Sequence, residues 1–240
     1  MFYRRVAKNL KDQNWTAVLV DFLIVVLGVF LGIQLGNWNE YRQDLRTEQV
    51  IIERLTADFK NHETVLLQRL ERSADLTQKT GHLVNLIRDD AYPNDEAMVK
   101  DLIYASLSLS PKAPPPGSYT ELLTSGDLSN IRNLDLREKL LEYGQWNALW
   151  DSIPNATIEP QKNPDSLLRL AFKGSTDHNT WGNPEEAIIS YDWEKLKQAE
   201  LTISVIQHHQ WEQLTRHYWD ILAVQEILKV LEVEPTPIPQ

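Results

Sequence analysis

Residues 16 to 36, TAVLVDFLIVVLGVFLGIQLG, are apolar or small apart from Asp21 and Gln34. A helix rising 1.5 Å per residue crosses a hydrocarbon core of ~30 Å in about 20 residues, so this run has the length of a membrane span. Trp15 stands just before it, with Trp38 and Tyr41 just after. Amphipathic rings settle at the two membrane interfaces, so these flanks argue for a span over the buried helix of a soluble protein.

The formal net charge of −10 is unevenly spread. Arg4, Arg5, Lys8 and Lys11 against Asp12 give the first fourteen residues +3; Asp21 gives −1, leaving −12 from Asn37 onward. Positive charge beside a span is retained in the cytoplasm, whereas acidic residues barely affect orientation. The expected layout is a basic cytoplasmic segment at 1–15, a transmembrane helix at 16–36, an extracytoplasmic helical domain at 37–234 and a disordered tail at 235–240. The run is longer than the 7–15 apolar residues of a cleaved signal peptide and lacks an A-x-A-like exit, so an uncleaved signal anchor is expected. With no Cys in the chain, packing rather than disulfides must hold an exported domain. Its acidic balance argues against nucleic acid as a partner.

Within the span, Gly28, Gly32 and Gly36 recur every four residues, and at 100° per residue Asp21 shares their face. Small residues let helices approach closely, and a membrane carboxylate turns toward protein or water, so the four residues mark a candidate helix–helix interface. Beyond the membrane, a heptad runs from Leu45 through Ile52, Phe59, Leu66, Ser73, Thr80 and Ile87. Glu48, Leu55, His62, Arg69, Leu76 and Leu83 fill its other core slots. This predicts one long helix, kinked at Gly81 and ended by Asp89-Asp90-Ala91-Tyr92-Pro93. A second long helix is expected from Asp192 to about Val233, with an apolar stripe from Leu196 to Leu231 broken by Gln210 and His217. Between them, shorter helices are expected at 94–109, at 118–126 behind a Ser118-x-x-Glu121 capping box, after Asp135-x-x-Glu138, and at 165–172. The Pro111–Gly117 stretch is a non-helical crossing, and Asn183-Pro184 is a further helix start. The fold class is therefore all-α: one transmembrane helix continuing into an antiparallel bundle with two long helices.

The segment LVDFLIVVLGVFLGIQLGNWNEYRQDLRTEQVIIERLTADF, from Leu19, resembles the start of an uncharacterised bacterial family, domain of unknown function 6090. The resemblance rests on Asp21 early in the span, Gln34 near its end and the exit Asn37-Trp38-Asn39-Glu40, with a weaker likeness at Tyr119–Leu128. Asp stands here where the family more often has Glu, and the span is richer in Gly. The resemblance supports the topology, implies a bacterial inner membrane and carries no activity.

No nucleophile elbow, P-loop or dinucleotide fingerprint is present, so a non-enzymatic protein without cofactor is expected. His208, His209 and His217 do not form H-x-x-x-H or H-E-x-x-H, so no metal site is expected. If the long helices pair with midpoints near Leu66 and Gln213 opposed, His62, Arg69, Gln210 and His217 form a polar layer that either fixes register or lines a ligand pocket. The tryptophans favour core positions, with Trp181 the exposed aromatic. The expected function is a membrane-anchored helical interaction or scaffold protein. Its partners would be the lipid bilayer and either a second copy or another membrane protein. The alternative is an extracytoplasmic small-molecule sensor acting through such a partner.

Overall fold

The computed structural model describes residues 15–152 and 165–239. The basic N-terminal segment and the Asn155–Pro164 loop fall outside the described residues. The chain divides into two units, Met1–Ile51 and Ile52–Gln240. Helix α1, Trp15–Arg88, passes through both.

In the first unit, the apolar part of α1 is long and apolar enough to cross a membrane, and none of that window is buried by the rest of the chain. Its leucines, valines and phenylalanines, from Leu19 to Leu35, are all exposed. At its end the Arg42 guanidinium lies over the Trp38 ring, 4.2 Å from the centroid, a cation–π contact that suits an interfacial aromatic.

The second unit is mostly helical. After α1 come α2 (Glu96–Leu107), α3 (Gly117–Ser125), α4 (Leu134–Ser152), α5 (Leu167–Leu170), α6 (Pro184–Ala187), α7 (Trp193–Gln198) and α8 (Glu200–Val230). The heptad face of α1 is the buried one: Leu55, Phe59, Leu66, Leu76, Leu83 and Ile87 are all covered. The helix runs through Gly81 without a break. A Cβ there would meet the Gln207 side chain at 2.4 Å, so the glycine makes room for a close neighbour. On α8 the stripe of Ile203, Ile206, Ile221, Val224 and Leu228 is fully buried.

α1 and α8 run antiparallel. Arg88 Nε donates to Glu200 at 2.8 Å, Gly81 faces Gln207, and Gln225 donates to Glu63 at 3.2 Å. These pairings set Leu66 opposite the turn around Leu222. That is about nine residues, or roughly 13 Å of helix, away from the Gln213 that aligned midpoints predict.

Several element ends differ from expectation. The start of α3 is not a capping box: Pro116 is its N-cap, Ser118 Oγ is unpartnered, and the Ser118 N–H donates to Asp58 Oδ2 of α1 at 3.0 Å. For α4 the cap is Asn133, whose Oδ1 accepts from Leu136 N at 3.1 Å, rather than Asp135. The expected single helix from Asp192 is two, because Ala199 leaves helical geometry between α7 and α8. Phe172–Gly174 (β1) and Ile188–Tyr191 (β2) form an antiparallel ribbon with a bulge at Lys173/Gly174, where helix and loop were expected. The Asn183 cap holds as expected, accepting from Glu185 N with Pro184 at the first helical position.

One core packs α1, α2, α5, α7 and α8 around Leu83, Ile103, Leu168, Ile188 and Ile203. Elsewhere on α1, Phe59 meets Tyr119 of α3 and Tyr143 of α4 at centroid distances of 6.1 and 5.5 Å. Gly144 permits that arrangement, since a Cβ there would lie 2.3 Å from the Tyr119 hydroxyl.

α8 ends in a Schellman motif: Val233 N donates to Leu228 O at 2.9 Å and Glu232 N to Lys229 O at 3.0 Å. Glu232 therefore occupies the left-handed position, φ 59°, that Gly normally takes. Replacing Glu232 with Gly relieves that strain, less the extra freedom Gly gives the unfolded chain. The expected gain is about 0.5–1 kcal/mol, a rise of roughly 2 °C in a thermal melt of the full chain.

Candidate functional site

The segment between α2 and α3 is extended and rich in Pro, so its backbone groups must find partners outside any helix. Those of its first residues, together with the last turn of α2, find them on one face of α8, where Gln210, Gln213 and His217 sit at spacings of three and four. Gln210 Nε2 donates to the carbonyls of Ala105 at 2.9 Å and Ser108 at 3.0 Å. Gln213 Oε1 accepts from Ser110 N at 3.1 Å, and His217 Nε2 donates to Ser110 O at 3.2 Å. From α1, Arg69 donates through Nη1 to Pro111 O, and its own carbonyl accepts from Ser110 Oγ at 3.4 Å.

Arg69, Gln210 and His217 thus converge on one stretch of backbone as a clamp. His62 does not join them. The offset helix register carries it to α4, where it lies 3.1 Å from the Tyr143 hydroxyl. Burial first, and the Arg69 charge second, lower His62 to about 4. Burial likewise lowers His217 to about 4, with Arg69 and Arg216 adding to the effect and the Ser110 bond opposing it. Both rings are therefore neutral near pH 7, as a His217 that donates from Nε2 and leaves Nδ1 unpartnered requires.

Three charged or aromatic features were not singled out from sequence. Asp220, 4% exposed, accepts from the Trp146 indole at 3.0 Å. Burial pushes its carboxyl up to about 6, against the pull of Trp146, Arg216 and Lys112 and with Asp151 adding to the rise. Glu63 is fully buried. Beside Arg69, a cavity of about 560 Å³ is lined by Gln68, Arg72, Ser110 and Pro111. Acidic residues at positions 63 and 220, next to buried neighbours at helical spacing, were the available signal. The tryptophans depart from expectation too. Trp181 is half-buried, its indole donating to Ser175 O at 3.1 Å, while in the second unit Trp211 and Trp219 are exposed.

Among the described residues no group of three His, Cys, Asp or Glu could hold a metal ion. His208 and His209 both face Glu212, at 3.5 and 2.8 Å. On the apolar part of α1, Gly28, Gly32 and Gly36 have no atom within 4 Å of where a Cβ would stand. Asp21 lies on the same helix, and its side chain falls outside the described residues.

Residues 21–145 match a family of unknown function, DUF6090. The chain belongs to the DUF6090 family. In this DUF6090 member the matched region runs from Asp21 in the apolar helix to α4, and so includes Arg69, Ser110 and Pro111 of the clamp but not α8. No curated protein and no solved structure matches the chain.

The two histidines and Asp220 act on stability in opposite senses. A lowered folded histidine contributes stability that is present above about 6.5 and lost as pH falls toward 4. The raised Asp220 contributes stability that is present below 3.8 and lost as pH rises through about 6. Asp220→Asn, which keeps the acceptor for Trp146, should therefore stabilise the protein at pH 7 by up to about 3 kcal/mol. Denaturant titrations should show that gain shrinking to nothing below about pH 4.

Proposed function

We propose that this protein is a membrane-anchored helical interaction protein of the bacterial inner membrane. Its basic N-terminus would be cytoplasmic and its acidic helical unit extracytoplasmic. It would associate, with a second copy or another membrane protein, through the face carrying Asp21, Gly28, Gly32 and Gly36. The observation that carries this reading is the anchor helix itself. Its described apolar side chains are exposed and its glycines face open space, so the described residues supply no partner for them. In a bilayer, lipid covers the large apolar side chains, whereas small residues favour a second helix. The clamp supports the same reading, because Arg69, Gln210 and His217 spend hydrogen bonds on the chain's own backbone.

A second reading, an extracytoplasmic sensor acting through a partner membrane protein, draws on the cavity beside Arg69 and Arg72. Two guanidinium groups suit a small anion. An anion screen that raises the melting temperature, with the gain lost in Arg72→Ala, would favour it.

The interaction reading makes a direct demand on the span. Differently tagged copies, or a tagged copy and a stoichiometric second membrane protein, should co-purify in mild detergent. Gly28→Leu with Gly32→Leu should reduce that recovery to background. Unchanged recovery in the double variant would remove the glycine face from the proposal.

A further inference from the structure

The residues after α8 are held by a built site. Glu63, fully buried, accepts from Thr236 N at 2.9 Å and from Thr236 Oγ1 at 3.0 Å. Gln225 Nε2 donates to Thr236 O at 2.7 Å and to Glu63 at 3.2 Å. Lys60 Nζ donates to Glu63 at 2.8 Å, to Glu234 O at 3.0 Å and to Thr236 Oγ1 at 3.1 Å. The N–H, carbonyl and hydroxyl of one threonine are thus all read by three side chains from two helices. Burial alone would push the Glu63 carboxyl up, but the hydrogen bonds from Lys60, Thr236 and Gln225 outweigh it and hold it below the ordinary range.

The flanking sequence sharpens the fit. Pro235, Pro237 and Pro239 have no N–H to donate and favour extended backbone. Of the five residues from Pro235 to Pro239, only Thr236 and Ile238 can offer an amide, so Glu63 sets the register. Farther on, Ile238 and Pro239 line a cavity of about 650 Å³ with Leu70, Ala74, Leu214 and Tyr218. The arrangement has the parts of a peptide-recognition groove: polar groups that fix one residue, then an apolar slot for the side chain two positions on.

We propose that this groove is a recognition site for an extended Pro-Thr-Pro-Ile segment, and that the tail of a second copy exchanges with the resident one. The second copy is the occupant chosen because its tail is the segment whose fit is already seen. The hinge also favours exchange. The tail turns back through Glu232, at φ 59°, a conformation costly to an L side chain and released when the turn opens. A tethered tail has a high effective concentration at its own groove, so exchange requires copies already held together. The proposal therefore rests on the self-associating form of the function proposed above.

The absence of Cys allows a clean test on the full-length chain in membranes. One tagged copy carries Ala74→Cys, a differently tagged copy carries Ile238→Cys, and a short bis-maleimide is added. Exchange predicts an adduct joining the two tags. Adding Thr236→Glu to the tail, which sets a carboxylate against Glu63, should reduce that adduct by roughly tenfold or more. A single chain carrying both cysteines reports on the resident tail. If it links internally while mixed copies co-purify but never link, exchange is overturned and self-association stands. If mixed copies neither link nor co-purify, the association reading fails and exchange fails with it. If the double-cysteine chain does not link internally, the groove itself is overturned.

Discussion

The second unit depends on the register of one antiparallel helix pair. α1 and α8 are locked near one end by Arg88 with Glu200, farther along by the room Gly81 gives Gln207, and beyond that by Glu63 with Gln225. A shift of one turn, about 5.4 Å, would break all three and leave a buried carboxylate without its neutral donor. The Pro-rich crossing is fastened to the same two helices, through Arg69 on one and Gln210, Gln213 and His217 on the other. Hydrophobic stripes alone tolerate sliding. Polar contacts with defined partners do not, and they make this pairing unique.

Much of this was legible in the sequence, because period is a local property. The heptad from Leu45 marked Phe59, Leu66, Leu83 and Ile87 as core, and the spacing from Leu196 marked Ile203, Ile206, Ile221 and Leu228. What was not legible is relational. Equal midpoints put His62 in a layer with Gln210, whereas the true offset sends it to Tyr143, because the pairing is set by cross-helix contacts that neither stripe encodes. The ribbon escaped notice since strands of three and four residues carry almost no alternation. The tail reads as disordered by composition, and the contacts Glu63 makes with Thr236 carry no signal in the sequence. Membership of a family of unknown function matched the resemblance seen in the anchor and left the chemistry where it was.

The two units differ in how their side chains are covered, and their polar groups differ with them. In the second unit three buried polar residues are tied to partners: Gln210 to carbonyls, Asp220 to an indole, Glu63 to a threonine. Each removes a cost that an unpaired group would impose. Among the described residues the apolar part of α1 has no such internal company. On the membrane-anchor reading proposed above, lipid would cover its leucines and valines, and the small residues at every fourth position are the part of it that lipid would not explain.

The first turn of α3 has a further consequence. One of its first-turn amides, Ser118 N–H, is satisfied by Asp58, a side chain sixty positions earlier in the chain, and not by any residue of its own. A nine-residue helix is too short to persist alone in water. Asp58 precedes residues 117–125 in synthesis, so the carboxylate is made before the amide it accepts from. The long helix is thus a template as well as a pillar, and α3 is a structure that is received rather than self-made.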